Sequence, residues 1–227
     1  MNEQGPHPGI PGHSARRESE RSRERRQLRT PPRSRLLALL LGPSAEEKRL
    51  LAREKRWATG ARGEELVADS LARRCPEVLL LHDRRMPRSR ANIDHIAVAA
   101  SGVYVIDAKR YRGKVEVRRP LFGAPKLKIA GRAKTKLIDG LARQVLAVEA
   151  ILADLAPEVP VRGCLCFVAP EGFLVDSGLP LLRTLKINGY PLYHPRRLAK
   201  KLNRSGQLTR GQASEIHAAL VERLRPA

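Results

Sequence analysis

The sequence predicts an α/β fold, a central mixed β-sheet flanked by helices behind a disordered basic N-terminal arm. Three observations predict it. Hydrophobic spacing is helical before residue 75, alternating from residue 78, and helical again from residue 134. The elements run helix, three or four strands, helix, strand, then helices, which is not the regular alternation of a doubly wound sheet. Residues 1–33 are rich in Pro, Gly, Ser and Arg and nearly lack large apolar side chains, so burial there cannot offset the entropy of ordering.

Four segments follow from this reading. Residues 1–33 form the arm, where Arg16, Arg17, Arg21, Arg23, Arg25 and Arg26 suit either loose phosphate binding or a solvated tail. Residues 34–58 form a leading helical segment, in which Ser44 followed by Glu47 resembles a capping box. A break near Thr59 and Gly60 separates it from a second helix bearing Leu66, Val67 and Leu71, which Pro76 ends. Residues 59–170 form the core domain. Its strands are expected at Val78–Leu81, Ile93–Ala99, Val103–Lys109 and Lys114–Arg118, with a polar loop after the last. A helix over 134–155 presents Leu137, Leu141, Val145, Val148 and Leu152 on one side, and Val161–Val168 reads as a buried strand. Residues 171–227 extend the core with a short strand at Tyr190–Tyr193 and helices near 195–203 and 209–223.

Lys and Arg total 44 against 23 Asp and Glu, a net charge of +21. Such an excess favours a polyanionic partner, nucleic acid first, with an anionic membrane surface as the competitor and an arginine-rich coding bias as the blandest explanation. No apolar run approaches the length of a membrane span. Leu36–Leu41 is too short, and its flanks do not make a secretory signal, so the expected location is the cytoplasm. Cys75, Cys164 and Cys166 lack the spacing of a metal site and read as buried thiols.

Chemistry concentrates in Asn92-Ile93-Asp94-His95-Ile96-Ala97-Val98 and Gly102-Val103-Tyr104-Val105-Ile106-Asp107-Ala108-Lys109. Side chains alternate along a strand, so Asp107 and Lys109 share a face. With a two-residue turn at Ser101 and Gly102, Asp94 opposes Lys109 and joins that face; a turn longer by two keeps the parity, and a three-residue turn breaks it. Charges inside apolar strands require a partner or a metal. Two carboxylates suit Mg²⁺, with Mn²⁺ as the substitute, bound through hard oxygens at about 2.1 Å. The metal polarises a phosphate and activates water, and the carbonyl of Ala108 is a further possible ligand. Lys109 would orient the water and stabilise phosphoryl charge. The bland alternative is a cross-strand Asp94–Lys109 ion pair. Glu64, near the start of the second helix, either complements that helix terminus or reaches the metal.

The run G-x-x-G-E at 60–64, N-I-D-H-I-A-V at 92–98 and G-V-Y-V-I-D-A-K-R-Y-x-G at 102–113 resembles the nuclease-related domain family, NERD, within the PD-(D/E)xK nuclease superfamily. The resemblance spans about 60–170. It implies a restriction-endonuclease-like core and metal-dependent hydrolysis of phosphodiester bonds in DNA. Glu64, Asp94 and Asp107 match its acids, Lys109 its lysine, and Gln144 the polar residue contributed by the following helix. The family more often has Glu where this chain has Asp107. A non-catalytic or accessory DNA-binding module of the same fold is the alternative.

His95 faces away from Asp94 and reads as structural, while His82 and Asp83 read as loop residues at a strand end. Arg110, Arg112 and Lys114 follow the site. Lys126, Lys128, Arg132 and Lys134 make a second basic stretch, expected as a DNA-contacting loop. Tyr104 reads as core, whereas Tyr111 could stack on a base.

Overall fold

A computed structural model describes residues 7–29, 42–169, 178–180 and 183–227. The helices are α1 (His13–Arg29), α2 (Ala45–Arg74), α3 (Lys136–Leu152), α4 (Pro195–Leu202) and α5 (Arg210–Arg223). The strands are β1 (Leu79–Arg85), β2 (Asn92–Ala99), β3 (Gly102–Arg110), β4 (Val115–Arg118), β5 (Lys126–Ile129), β6 (Arg132–Ala133), β7 (Val161–Val168), β8 (Leu185–Ile187) and β9 (Tyr190–Tyr193). A six-stranded sheet has the order β1-β2-β3-β7-β9-β8, and β4-β5-β6 form a small second sheet. β1, β2 and β3 are antiparallel neighbours, whereas β3, β7 and β9 run parallel, so the main sheet is mixed as expected.

Alternation along the strands splits the core in two. Ile96, Val98, Val103, Val105, Leu165 and Phe167 face α3, α5 and the small sheet. Ala97, Ala99, Tyr104, Ile106, Cys164 and Cys166 face α2 and α4. All three cysteines are buried free thiols, in keeping with the sequence.

Several local expectations change. α2 is continuous, with Ser44 capping it by accepting from the Glu47 N–H at 3.2 Å, and no break occurs at Gly60. One glycine weakens a helix by only about 1 kcal/mol, and packing of Val67 and Leu71 outweighs that. β4 lies outside the main sheet, and the expected loop after it contains β5 and β6. Leu127 and Ile129 alternate inward from lysines, a strand pattern too short to stand out. His82 and Asp83 lie within β1, not in a loop, because pairing with β2 continues to Arg85.

The arm contains a helix where disorder was expected. α1 packs along α2 although only Ala15 and Ser22 are buried in it. Ion pairs replace an apolar seam: Arg16 with Glu65, Arg26 with Glu54 at 3.1 Å, and Arg53 with Glu18 at 2.9 Å. Gly12, with φ +69°, lets the chain approach α2 so closely that a Cβ would lie 2.8 Å from the Ala61 carbonyl oxygen. Residues 1–6 and 30–33 of the arm, and the apolar run 36–41, lie outside the described residues. Among the described residues no helix is long and apolar enough to cross a membrane.

Candidate active site

β2 and β3 meet through a two-residue turn, but at Ala100 and Ser101, with Ala99 opposite Gly102. Each residue of β2 therefore opposes one two positions earlier in β3 than the sequence register implies. A shift of two keeps the parity, so Asp94 still shares a face with Asp107 and Lys109. That face looks towards α3, and the three groups lie at the end of the sheet where β2 begins and β3 finishes.

The Lys109 ammonium stands 2.5 Å from Asp107 Oδ1 and 3.7 Å from Asp94 Oδ2. It also donates to the Ala108 carbonyl at 2.9 Å. Asp94 Oδ2 accepts the Ala108 N–H at 2.8 Å, which ties the two strands together beyond the last ladder pair. Burial works against the Lys109 charge, but Asp107 and Asp94 outweigh it and hold the amine above the usual lysine value. Burial also raises the Asp94 carboxyl; Lys109 opposes the rise and Asp107 reinforces it.

Glu64 comes from the other side. It sits mid-helix in α2, not at a helix terminus, so the capping explanation for its charge does not apply. The close packing that holds it there uses Gly63, whose added Cβ would lie 3.0 Å from the Arg110 Cβ. Glu64 is 7 % exposed, and its Oε2 is buried without a hydrogen-bond partner. Burial, then Asp94 and Asp83, push its pKa up to about 10. Lys109 opposes the rise without cancelling it, and Oε2 still lacks a donor.

Gln144 extends from α3 to donate to the Asn92 carbonyl at 3.3 Å, and its buried Oε1 has no partner. It is therefore placed beside the start of β2, not solvated as a lone helical Gln would be. His95 is fully buried on the opposite face from Asp94, as its alternation requires. Its Nδ1 lies 2.8 Å from His82 Nδ1, with the rings edge-on, so one ring donates and the other accepts. Burial lowers both histidines, His82 to about 4.

Sequence reading missed Asp83. It lies between the paired residues His82–His95 and Arg84–Ile93, hence across from Asp94. With φ +48° its side chain turns towards α1, where it accepts from the Ser14 N–H at 2.5 Å, the Ser14 hydroxyl at 2.7 Å and Asn92 Nδ2 at 2.6 Å. The only signal was indirect, since a polar pair His82-Asp83 inside a strand needs partners.

The basic residues separate into different settings. Arg110 ends β3 against Gly63, and Arg112 and Lys114 follow it. Lys114 pairs with Glu116 at 2.9 Å, and the Lys134 ammonium lies 5.4 Å from the Tyr111 ring centroid. That contact gives Tyr111 a structural partner. Lys126, Lys128 and Arg132 belong to the small sheet.

Glu64, Asp94, Asp107 and the Ala108 carbonyl supply hard oxygens of the kind Mg²⁺ or Mn²⁺ takes. The unpartnered Glu64 oxygen fits a cation. Among the described residues, however, no three acidic, His or Cys side chains are gathered closely enough to enclose one, and Lys109 occupies the space between the two aspartates.

Fold and site together define an α/β domain with an acid–acid–lysine cluster at one end of a mixed sheet. Residues 59–168 match the family model of the nuclease-related domain, NERD. No curated protein and no solved structure matches the chain.

Proposed function

We propose that the protein is a metal-dependent nuclease that hydrolyses phosphodiester bonds of DNA. One observation carries the reading. Asp94, Asp107 and Lys109 share a sheet face, and a buried carboxylate without a partner, Glu64, approaches from the opposing helix. Glu64, Asp94 and Asp107, with the Ala108 carbonyl, would hold Mg²⁺ or Mn²⁺. The bound ion would supply a Lewis acid for the phosphate and lower the pKa of a water. Lys109, once released from Asp107, would orient that water and stabilise charge on the phosphoryl oxygens. Gln144 would position the start of β2 through the Asn92 carbonyl. Arg110, Arg112 and Lys114, with Lys126, Lys128, Arg132 and Lys134, would contact phosphates.

A second reading, a DNA-binding module with little catalysis, is favoured by the Lys109 ion pairs that close the space between the aspartates. Cleavage of plasmid and linear single-stranded DNA with Mg²⁺ or Mn²⁺ decides between them, run beside Asp107→Ala and an EDTA control. Metal-dependent cutting that the variant loses while still binding DNA is the expected result. Salt-sensitive binding without any cutting would refute the nuclease and leave the module.

A further inference from the structure

We propose that the β1–β2 hairpin and the end of the chain form a basin for the phosphates of a nucleic-acid strand beside the site. The proposal rests on the nucleic-acid part of the function above, but not on catalysis. The basin has a volume of about 530 Å³ and is lined by Arg85, Arg88, Arg90, Arg223 and Arg225, with Met86 among them and no acidic residue. Five guanidiniums around one concave surface repel one another, and a polyanion relieves that repulsion. Guanidinium groups bind phosphate oxygens in pairs, so arginine suits this task better than lysine.

The backbone holds the arginines in place. Arg85 donates its N–H to the Arg225 carbonyl at 2.9 Å, and Arg84 bridges to Pro226, which fastens the chain end beside β1. The hairpin closes with Met86 donating to the Ala91 carbonyl at 2.9 Å and Ala91 donating to Ser89 Oγ at 3.1 Å. Arg88 takes a left-handed φ of +53° at its tip. Arg223 Nη1 donates to the Ile151 carbonyl at 2.8 Å, so one of the five is already oriented.

Position names the ligand. The hairpin joins the end of β1 to the start of β2, and Asp94 lies two residues after Asn92, the partner of Arg85. The basin is therefore at the same sheet end as Asp94, Asp107 and Lys109. A strand whose scissile phosphate lies at those groups has further phosphates within reach of the basin, and each one gripped fixes its register. Nothing in the sequence patterning separates these arginines from the many others; the fold gathers them from residues 85–90 and 223–225.

The test uses the full chain with EDTA, so that binding is read without cleavage. Fluorescence anisotropy of a short labelled DNA is followed from about 50 to 200 mM salt. Arg88→Ala/Arg90→Ala should bind more weakly, with a slope of log affinity against log salt shallower by about 2, one for each phosphate that is no longer neutralised. Both side chains are exposed, and unchanged circular dichroism would show the fold intact. Lys200→Ala/Arg204→Ala removes the same charge at the far end of the sheet and should leave the slope within error of wild type. Equal losses in the two variants would overturn the basin and leave only a net-charge effect. A wild-type protein that binds no DNA would overturn the proposed function as well.

Discussion

Replacing Glu64 by Gln should stabilise the metal-free protein while weakening its metal response. Glu64 is ionised in the unfolded chain above its ordinary pKa of 4.5, whereas burial and the neighbouring aspartates raise the folded value to about 10. Its contribution to stability is therefore fully present below about pH 4.5 and declines as pH rises towards the folded value. The decline is about 1.4 kcal/mol per pH unit, so some 2.5 units from 4.5 to neutrality amount to about 3 kcal/mol at most. Gln is neutral in both states and does not incur this loss. In a chain of this size that corresponds to a rise in Tm of roughly 6–12 °C near pH 7.

Thermal unfolding by circular dichroism, in EDTA from about pH 5 to about pH 8, reads both the gain and its pH dependence. The gap between Glu64→Gln and wild type should widen as pH rises. Added Mg²⁺ should raise the wild-type Tm, because an ion that binds only the folded state stabilises it, and should raise that of the variant less. A variant less stable than wild type at neutral pH, or a gap constant across pH, would refute the reasoning. Glu64 would then be satisfied by its surroundings and not held in reserve for a cation.

Other perturbations give separate outcomes. Lys109→Met leaves Asp94 and Asp107 without their ammonium and should destabilise by about 3–5 kcal/mol, read as a lower urea midpoint; an unchanged midpoint would mean the pairs contribute nothing. The His82–His95 pair, with both pKa values lowered, contributes stability that is present above about pH 6.5 and lost as pH falls towards about 4. In a Glu64→Gln background, where the opposing carboxyl slope is gone, His82→Gln should flatten that acid loss by about 3 kcal/mol at most, and an unaltered acid limb would exclude the pair as its source. Asp83→Ala removes three hydrogen bonds between β1, α1 and Asn92. Limited trypsin digestion should then cut within Arg16–Arg29 much faster than in wild type, whereas equal rates would show that the ion pairs alone hold α1.

The face shared by Asp94, Asp107 and Lys109 was legible because it depends on parity alone. The sequence register placed the turn at Ser101 and Gly102, and the protein places it at Ala100 and Ser101, yet a shift of two positions changes no side chain's face. Long periodic elements such as α3 and the largely apolar β7 were also legible, since each buries a run of side chains. Gln144 came only through the family resemblance, because an isolated Gln on a helix has no pattern; its link to the Asn92 carbonyl is a tertiary contact. β5, β6 and β8 were missed for a different reason. β6 and β8 have two and three residues, too few for alternation to stand out, and the four residues of β5 lie between the Gly and Pro residues of a stretch that reads as a polar loop.

The ordered part of the arm was hidden most completely, and the reason bears on the site. Compositional reasoning weighs apolar burial against entropy, and α1 has almost none to offer. What holds it is polar: the Ser14 N–H and hydroxyl on Asp83, Asn92 beside them, and arginines on the glutamates of α2. Asp83 is also one of the acids that raise Glu64. The donors from Ser14 and Asn92 therefore satisfy an acid next to the candidate metal ligands and leave Glu64 as the carboxylate still lacking a partner. Asn92 is shared further, since its carbonyl receives Gln144 from α3. One residue, two positions before Asp94, thus joins the arm, β1, β2 and α3. A sequence-patterned core can build the sheet, but this junction sets where the start of β2 sits, and with it the spacing between Asp94 and the acids around it.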